Sequence, residues 1–98
     1  MTTLPTLTGT DKQIAWATDL RAQRLREMEA RQADFERQAA IAITKGQTTE
    51  AEVTEGRAHG AAVVADILSH TEAKWWIDQR QDSVIRMMRE VSLRLLPA

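Results

Sequence analysis

The feature that most constrains this chain is residues 11–45, a stretch that contains neither proline nor glycine. Thr10 and Gln13 have the spacing of a capping box, and Lys45 and Gly46 have the cation and the glycine typical of a helix end. Apolar residues recur between these signals at mostly helical spacing: Ile14, Ala17, Leu25, Met28, Phe35, Ala39 and Ile43. The sequence therefore predicts one unbroken first helix, about 50 Å long at 1.5 Å per residue.

A second helix is predicted to begin at Thr49, which has Glu52 at the capping-box position three residues later. This helix carries Gly56 and Gly60, which lie four residues apart and so share one face. Because glycine in a helix costs about 1 kcal/mol relative to alanine, two glycines on one face indicate either a close approach of another backbone or a locally frayed helix.

A third helix is predicted to begin at Ser69 or Thr71 and to continue without a break to about Leu96, before Pro97. Its apolar residues follow steps of seven, four, three and four, a coiled-coil type of seam. They are Ile77, Val84, Met88, Val91 and Leu95.

These patterns predict an all-α protein, a three-helix bundle with a long first helix. Residues 1–9 are expected to be an irregular lead-in and residues 10–96 a single helical domain, since 98 residues allow one domain. The chain has no cysteine, no signal peptide and no run near the roughly 20 apolar residues that a membrane span needs. A cytoplasmic location without a membrane partner is expected, and the net charge of −1 gives no general attraction to nucleic acid.

The length of the first helix favours a homodimer. Two shorter helices would leave its second half uncovered unless it folds back near Ala33 or Gln38, and neither position carries proline or glycine. A second copy in antiparallel contact would cover the overhang. The predicted dimer interface consists of Phe35, Ala39, Ile43, Gly56 and Gly60.

Trp75 and Trp76 are adjacent, and on a helix they point about 100° apart. One interpretation is that both rings close an end of the bundle, together with Trp16. The other is that at least one indole meets a partner, because tryptophan and arginine are enriched at binding hot spots. The predicted partner-binding patch contains Trp75, Asp78 and Arg80.

Arg21, Arg24 and Arg31 lie along one side of the first helix, where Glu27 is placed to pair with Arg31. A solvated face is the simplest interpretation, and partner binding through Arg21 and Arg24 is the alternative. A nucleic-acid surface is less favoured but not excluded, because acidic residues accompany the tryptophans.

Two carboxylate–histidine pairs, Glu55–His59 and Asp66–His70, share one helix face about 16 Å apart, too far for one metal ion. No phosphate-binding glycine loop or nucleophile elbow is visible. The sequence therefore predicts no metal site, no cofactor and no enzyme activity.

The segments LTGTDKQIAWATDLRAQRL at 7–25 and KWWIDQR at 74–80 resemble a small module of bacterial and phage mobile-element proteins. That module has no assigned activity. The resemblance implies that the two motifs act together and meet in space, with Trp16 against Trp76 and with Lys12 or Gln13 near Asp78. The residues concerned are Thr8, Gly9, Lys12, Gln13, Trp16, Trp76, Asp78 and Arg80.

A non-enzymatic protein-binding module of a phage or mobile element is the expected function. Small size and the resemblance point to a host protein complex as partner, with the protein acting as an inhibitor of a bacterial defence system of the anti-CRISPR type. A nucleic-acid-binding regulator that uses arginines of the first and last helices is one alternative. A structural or assembly subunit of a larger particle is another.

Overall fold

The computed structural model describes residues 4–96, and this part of the chain contains four helices. They are α1 (Asp11–Thr44), α2 (Glu50–Leu68), α3 (Ala73–Asp78) and α4 (Val84–Leu95). The all-α class is confirmed. None of these helices combines the length and the apolar character that crossing a membrane requires.

The prediction of a long, unbroken first helix is confirmed. α1 has 34 residues and sets the longest dimension of the molecule, 52 Å. Its capping box forms as expected: the Thr10 hydroxyl accepts a hydrogen bond from the Gln13 amide, and the Gln13 side chain accepts one from the Thr10 amide. Gly46 has a φ of +71°, a left-handed conformation that lets the chain leave the helix and turn back.

α2 runs back along the second half of α1. It begins at the predicted cap, where the Thr49 hydroxyl accepts from the Glu52 amide at 3.2 Å. Further along, the Arg57 guanidinium donates to both carboxylate oxygens of Glu36 on α1, at 2.6 and 3.0 Å. α2 also packs against α4, so it lies between the long helix and the C-terminal one.

The prediction of one continuous last helix is wrong, and the bundle has four helices instead of three. Residues 79–83 separate α3 from α4. The Arg24 guanidinium reaches this segment from α1 and donates to the carbonyl oxygens of Gln79 and Arg80, at 3.2 and 3.0 Å, and to that of Asp82. These carbonyls therefore have a partner that a continuous helix would not offer them.

The termini of the short helices also differ from the prediction. Ser69 ends α2, and α3 follows Glu72, whose side chain makes no capping hydrogen bond. α4 follows Ser83, whose hydroxyl accepts from the Arg86 amide at 3.1 Å. A serine cap at this position is a local reason for a new helix to begin there.

The core lies at the end of the molecule where α3 and the N-terminal segment meet α1. Trp76 fills its centre with 1% of its surface exposed. Residues 4–9 are irregular, as expected, but they belong to this core, because Leu7 is buried in it. The buried cluster contains Leu7, Ala17, Met28, Val63, Ile67, Ala73, Trp76, Val84 and Met87.

Candidate partner-binding groove

The start of the first motif contacts the residues immediately before the second motif through backbone hydrogen bonds, residues 7–9 against residues 71–73, which we call the N-terminal clasp. The Thr8 amide donates to the Thr71 carbonyl and the Ala73 amide donates to the Thr8 carbonyl, both at 2.8 Å. Gly9 has a φ of +145°, and a Cβ there would lie 2.9 Å from Gln13 Oε1 and 3.2 Å from Ala73 Cβ. Position 9 therefore favours glycine for two reasons, its positive φ and the lack of space for a Cβ.

The side chains of the two motifs do not make the expected pairs. Trp16, which is 47% exposed, lies beneath the Arg80 guanidinium, 5.2 Å from the ring centroid. Trp76 pairs edge-to-face with Trp75 instead. Asp78 receives a hydrogen bond from Lys74 at 2.8 Å, so its partner is the preceding turn of α3. The Arg80–Trp16 cation–π contact therefore joins the two motifs directly, and the backbone bonds of Thr8 reach the residues just before the second motif.

Trp75 is half-buried, and one face of its indole is covered by the His70 ring. The two rings stack with centroids 3.6 Å apart and planes 4° from parallel. Burial lowers the pKa of His70, since the charged imidazolium loses water at this position; Asp66 acts in the opposite direction. Of the predicted patch, Asp78 and Arg80 are exposed while Trp75 is partly covered, so the three do not form an open aromatic surface.

The prediction that Arg21 and Arg24 bind a partner is not supported, because both guanidiniums make internal bonds. Arg21 is 9% exposed and donates to the Pro5 carbonyl at 2.6 Å. Its burial lowers the pKa of Arg21 from the ordinary arginine value through desolvation. The Arg24 side chain, 11% exposed, donates hydrogen bonds to backbone carbonyls of the segment between α3 and α4. Spacing alone could not separate these arginines from solvated ones.

An open groove with an apolar lining is bounded by α1, α2 and α4, and we call it the glycine groove. Gly56 and Gly60 of α2 line its floor, and Phe35 and Met88 stand on opposite walls. This part has a volume of about 370 Å³. A second part of about 270 Å³ continues along α4 past Ile85 and shares both glycines.

The two glycines of the predicted dimer interface have different surroundings within the chain. A Cβ on Gly56 would lie 2.9 Å from the Phe35 ring of the same chain, whereas a Cβ on Gly60 would meet nothing within 4 Å. Ala39 is buried within the chain, 8% exposed. Of the predicted dimer interface, Ala39 is thus packed inside one molecule and Ile43 is partly buried, whereas Phe35, 39% exposed, lines the groove together with both glycines. A dimer through these residues stays a prediction.

The rim of the glycine groove is basic. Arg31 on α1 and Arg89 on α4 are exposed, and neither forms an ion pair with any residue in the described range 4–96. The predicted Glu27–Arg31 pair does not form, because Glu27 lies 3.5 Å from Arg24 instead. The carboxylate of Glu36 at the rim is already bound by Arg57.

The sequence analysis missed the α4 side of this groove. Ile85 and Arg89 were not among the candidate site residues, since a continuous last helix would turn them differently relative to α2. The signal that could have shown them is the serine cap, since starting a helix after Ser83 turns Val84 and Met87 inward and leaves Ile85 outside.

The carboxylate–histidine pairs also take other partners. His59 Nε2 lies 2.7 Å from the Ser92 hydroxyl, and Asp66 accepts from Arg94 at 2.7 Å. Among residues 4–96, no three histidine, aspartate or glutamate side chains lie close enough together to hold a metal ion.

Neither a protein-family model, nor a curated protein, nor a solved structure matches this chain. The glycine groove is therefore interpreted from its own geometry and chemistry.

Proposed function

We propose that this protein acts by binding another protein, whose apolar side chains enter the glycine groove. One observation carries this proposal: helices α1, α2 and α4 leave an apolar channel between them with Gly60 open at its floor. A large apolar side chain of α4 continues the surface outward, since Ile85 lines the second part of the groove and is 53% exposed. Exposed apolar surface of this kind, rimmed by polar groups, marks interaction sites in soluble proteins.

The walls of the groove are regular helices, which favours a docking surface that exists before the partner arrives. The bidentate Arg57–Glu36 pair ties α2 to α1 beside the groove, and the His59–Ser92 contact ties α2 to α4. A pre-formed surface loses less conformational entropy on binding, so more of the contact energy contributes to affinity.

A narrower form of the proposal names the partner as a host defence complex that a phage or plasmid protein inhibits. It rests on the resemblance of the two motifs to mobile-element proteins and on small size. A nucleic-acid-binding regulator has less support, because Arg21 and Arg24 are used inside the chain. A target-cleavage assay with a CRISPR effector, run with wild-type protein and a groove-filling variant, tests the narrower form.

A second copy of this chain is the alternative occupant of the groove, as the expected homodimer requires. The exposed apolar residues of α4 support this alternative. Light scattering of the purified chain decides it, since one chain has a mass of 11.0 kDa.

Photo-crosslinking tests the proposed function directly. A photoreactive amino acid replaces Ile85 in the groove or, as a control, exposed Asp19 on α1, in cells of the source organism. We expect a partner protein to crosslink from position 85 and not from position 19, and Gly60→Leu to abolish the crosslink by filling the groove. A crosslink that Gly60→Leu leaves unchanged would place the partner elsewhere and refute the proposal.

A further inference from the structure

We infer that the occupant of the glycine groove is an acidic amphipathic helix of another protein. This inference rests on the proposed function and adds the chemistry of the partner segment. It draws on the shape of the groove, on the charges around it and on the charges of the alternative occupant.

The shape of the groove fits a helix. From Gly56 to Val63 the floor follows two turns of α2, about 10 Å at 1.5 Å per residue. A partner helix laid along this direction presents apolar residues at i, i+4 and i+7 with the same rise, which is the common helix-in-groove mode of recognition. The absence of a side chain at Gly60 lets one such residue approach the α2 backbone.

The charged residues at the rim of the groove favour a partner helix that carries acidic residues on both sides of its apolar face. Arg31 and Arg89 stand on opposite walls, so each guanidinium can receive a carboxylate from one side of a bound helix. The other rim charges are the Arg57–Glu36 pair, which is internally neutralised. The lining residues that the structure describes thus leave two arginines without a carboxylate. Such rim charges act mainly on specificity and on the rate of association.

The same charges disfavour a second copy of this chain. Its exposed apolar residues Ile85 and Leu93 belong to α4, and that helix carries three arginines and one glutamate. Docking α4 of one copy into the groove of another would bring its arginines toward Arg31 and Arg89. Like charges across an interface oppose association, so a separate acidic protein fits this site better.

A displayed peptide library tests the inference with the full-length purified protein. The library consists of 16-residue helical peptides with leucine fixed at i, i+4, i+7 and i+11, and with the flanking positions randomised among Glu, Lys, Gln and Ser. We expect selected peptides to be enriched in glutamate and to lose at least tenfold in affinity for Gly60→Leu. The double variant Arg31→Gln/Arg89→Gln should bind the acidic peptides about tenfold more weakly, in keeping with two partly exposed ion pairs.

Each other outcome has a distinct meaning. Selected peptides that are neutral or basic, yet depend on an open Gly60, would overturn the acidic partner and leave the groove as the docking site. Failure to select any peptide that Gly60→Leu affects would overturn the proposed function together with the inference. A dimer in light scattering that Gly60→Leu converts to a monomer would assign the groove to a second copy and refute the separate partner.

Gly60→Ala serves as the matched control for folding. A Cβ at position 60 would have nothing within 4 Å, so this variant should fold at least as well as the wild type. Because the added methyl group narrows the floor of the groove only slightly, its affinity for acidic peptides should fall between those of the wild type and Gly60→Leu. A loss of binding in Gly60→Leu can then be assigned to the filled groove.

Discussion

Arg24 shows how one side chain can determine where helices end. Its guanidinium leaves α1 and donates to carbonyl oxygens of residues 79, 80 and 82 between α3 and α4. A charged donor on carbonyls that have left a helix is stronger than a neutral hydrogen bond, because the acceptors gain both a partner and a favourable charge. The segment between α3 and α4 is thus held by a residue more than fifty positions earlier in the chain.

Replacing Arg24 should therefore destabilise the whole fold. We expect Arg24→Ala to lower the free energy of unfolding by about 2–3 kcal/mol, since partly buried carbonyls lose a charged donor. Urea unfolding followed by tryptophan fluorescence measures this change. Arg26→Ala, at an exposed position two residues later, should stay within about 0.5 kcal/mol of the wild type. Equal effects of the two substitutions would show that the Arg24 bonds contribute nothing to stability.

His70 should make stability depend on pH. Burial lowers its pKa in the folded state, so the unfolded chain binds the proton more readily. The contribution of His70 to the free energy of unfolding is fully present above the pKa of a free histidine, about 6.5. It is lost as the pH falls through the lower pKa of His70 in the folded protein. An NMR titration of the ring should give a pKa below that of a free histidine.

The stability measurement for His70 needs its own control. His70→Phe keeps a ring to stack on Trp75 and removes the titrating group. We expect its unfolding free energy to fall less between pH 7.5 and pH 5 than that of the wild type. The opposing effects are the negative charges of Asp66 and Glu72 and a cation–π attraction between a charged His70 and Trp75. An NMR pKa above 6.5 would mean that these attractions together outweigh desolvation.

At the scale of the elements, the sequence predicts those helix ends that are determined by neighbouring residues. The capping box at Thr10, the hydroxyl cap of Thr49 and the glycine at 46 mark both ends of α1 and the start of α2, because each signal acts within a few residues. The break between α3 and α4 was missed because the apolar seam continues across it; the Ser83 cap is its local signal, and the Arg24 bonds that hold the segment come from a distant helix. For the same reason the α4 side of the glycine groove was not predicted, since it depends on the orientation of α4.

The two glycines of α2 should respond differently to alanine. Gly60→Ala should raise the free energy of unfolding by about 0.5–1 kcal/mol, because alanine reduces the entropy of the unfolded chain and its Cβ has space. Gly56→Ala should give no gain, since its Cβ would displace the Phe35 ring. Thermal and urea unfolding compare the two variants.

A Phe35→Ala background identifies the cause of that difference. With the ring removed, Gly56→Ala should raise the free energy of unfolding as much as Gly60→Ala does. The double-mutant cycle of Phe35→Ala and Gly56→Ala measures the coupling energy between positions 35 and 56. Equal stabilisation by both alanines in the presence of Phe35 would show that the ring moves aside without cost.

On the scale of the whole molecule, the N-terminal clasp ties a segment without helical structure to the core. Leu7 is 5% exposed and belongs to the core around Trp76. We expect Leu7→Ala to lower the free energy of unfolding by about 2–4 kcal/mol, through lost burial and the cavity that remains. Thr6→Ala, at the exposed neighbour, is the matched control and should change it by less than about 0.5 kcal/mol. Equal stability of the two variants would mean that the N-terminal segment is dispensable.

The uneven placement of the core has a consequence for motion. The buried cluster around Trp76 includes no residue between positions 29 and 62, where Ala39 and Val53 are the buried apolar side chains of α1 and α2. Amide protons at the far tip of this helical hairpin should exchange with deuterium faster than those beside the core, because local opening there exposes less apolar surface. The glycine groove lies between these two regions, and a ligand seated in it would slow exchange out to the tip.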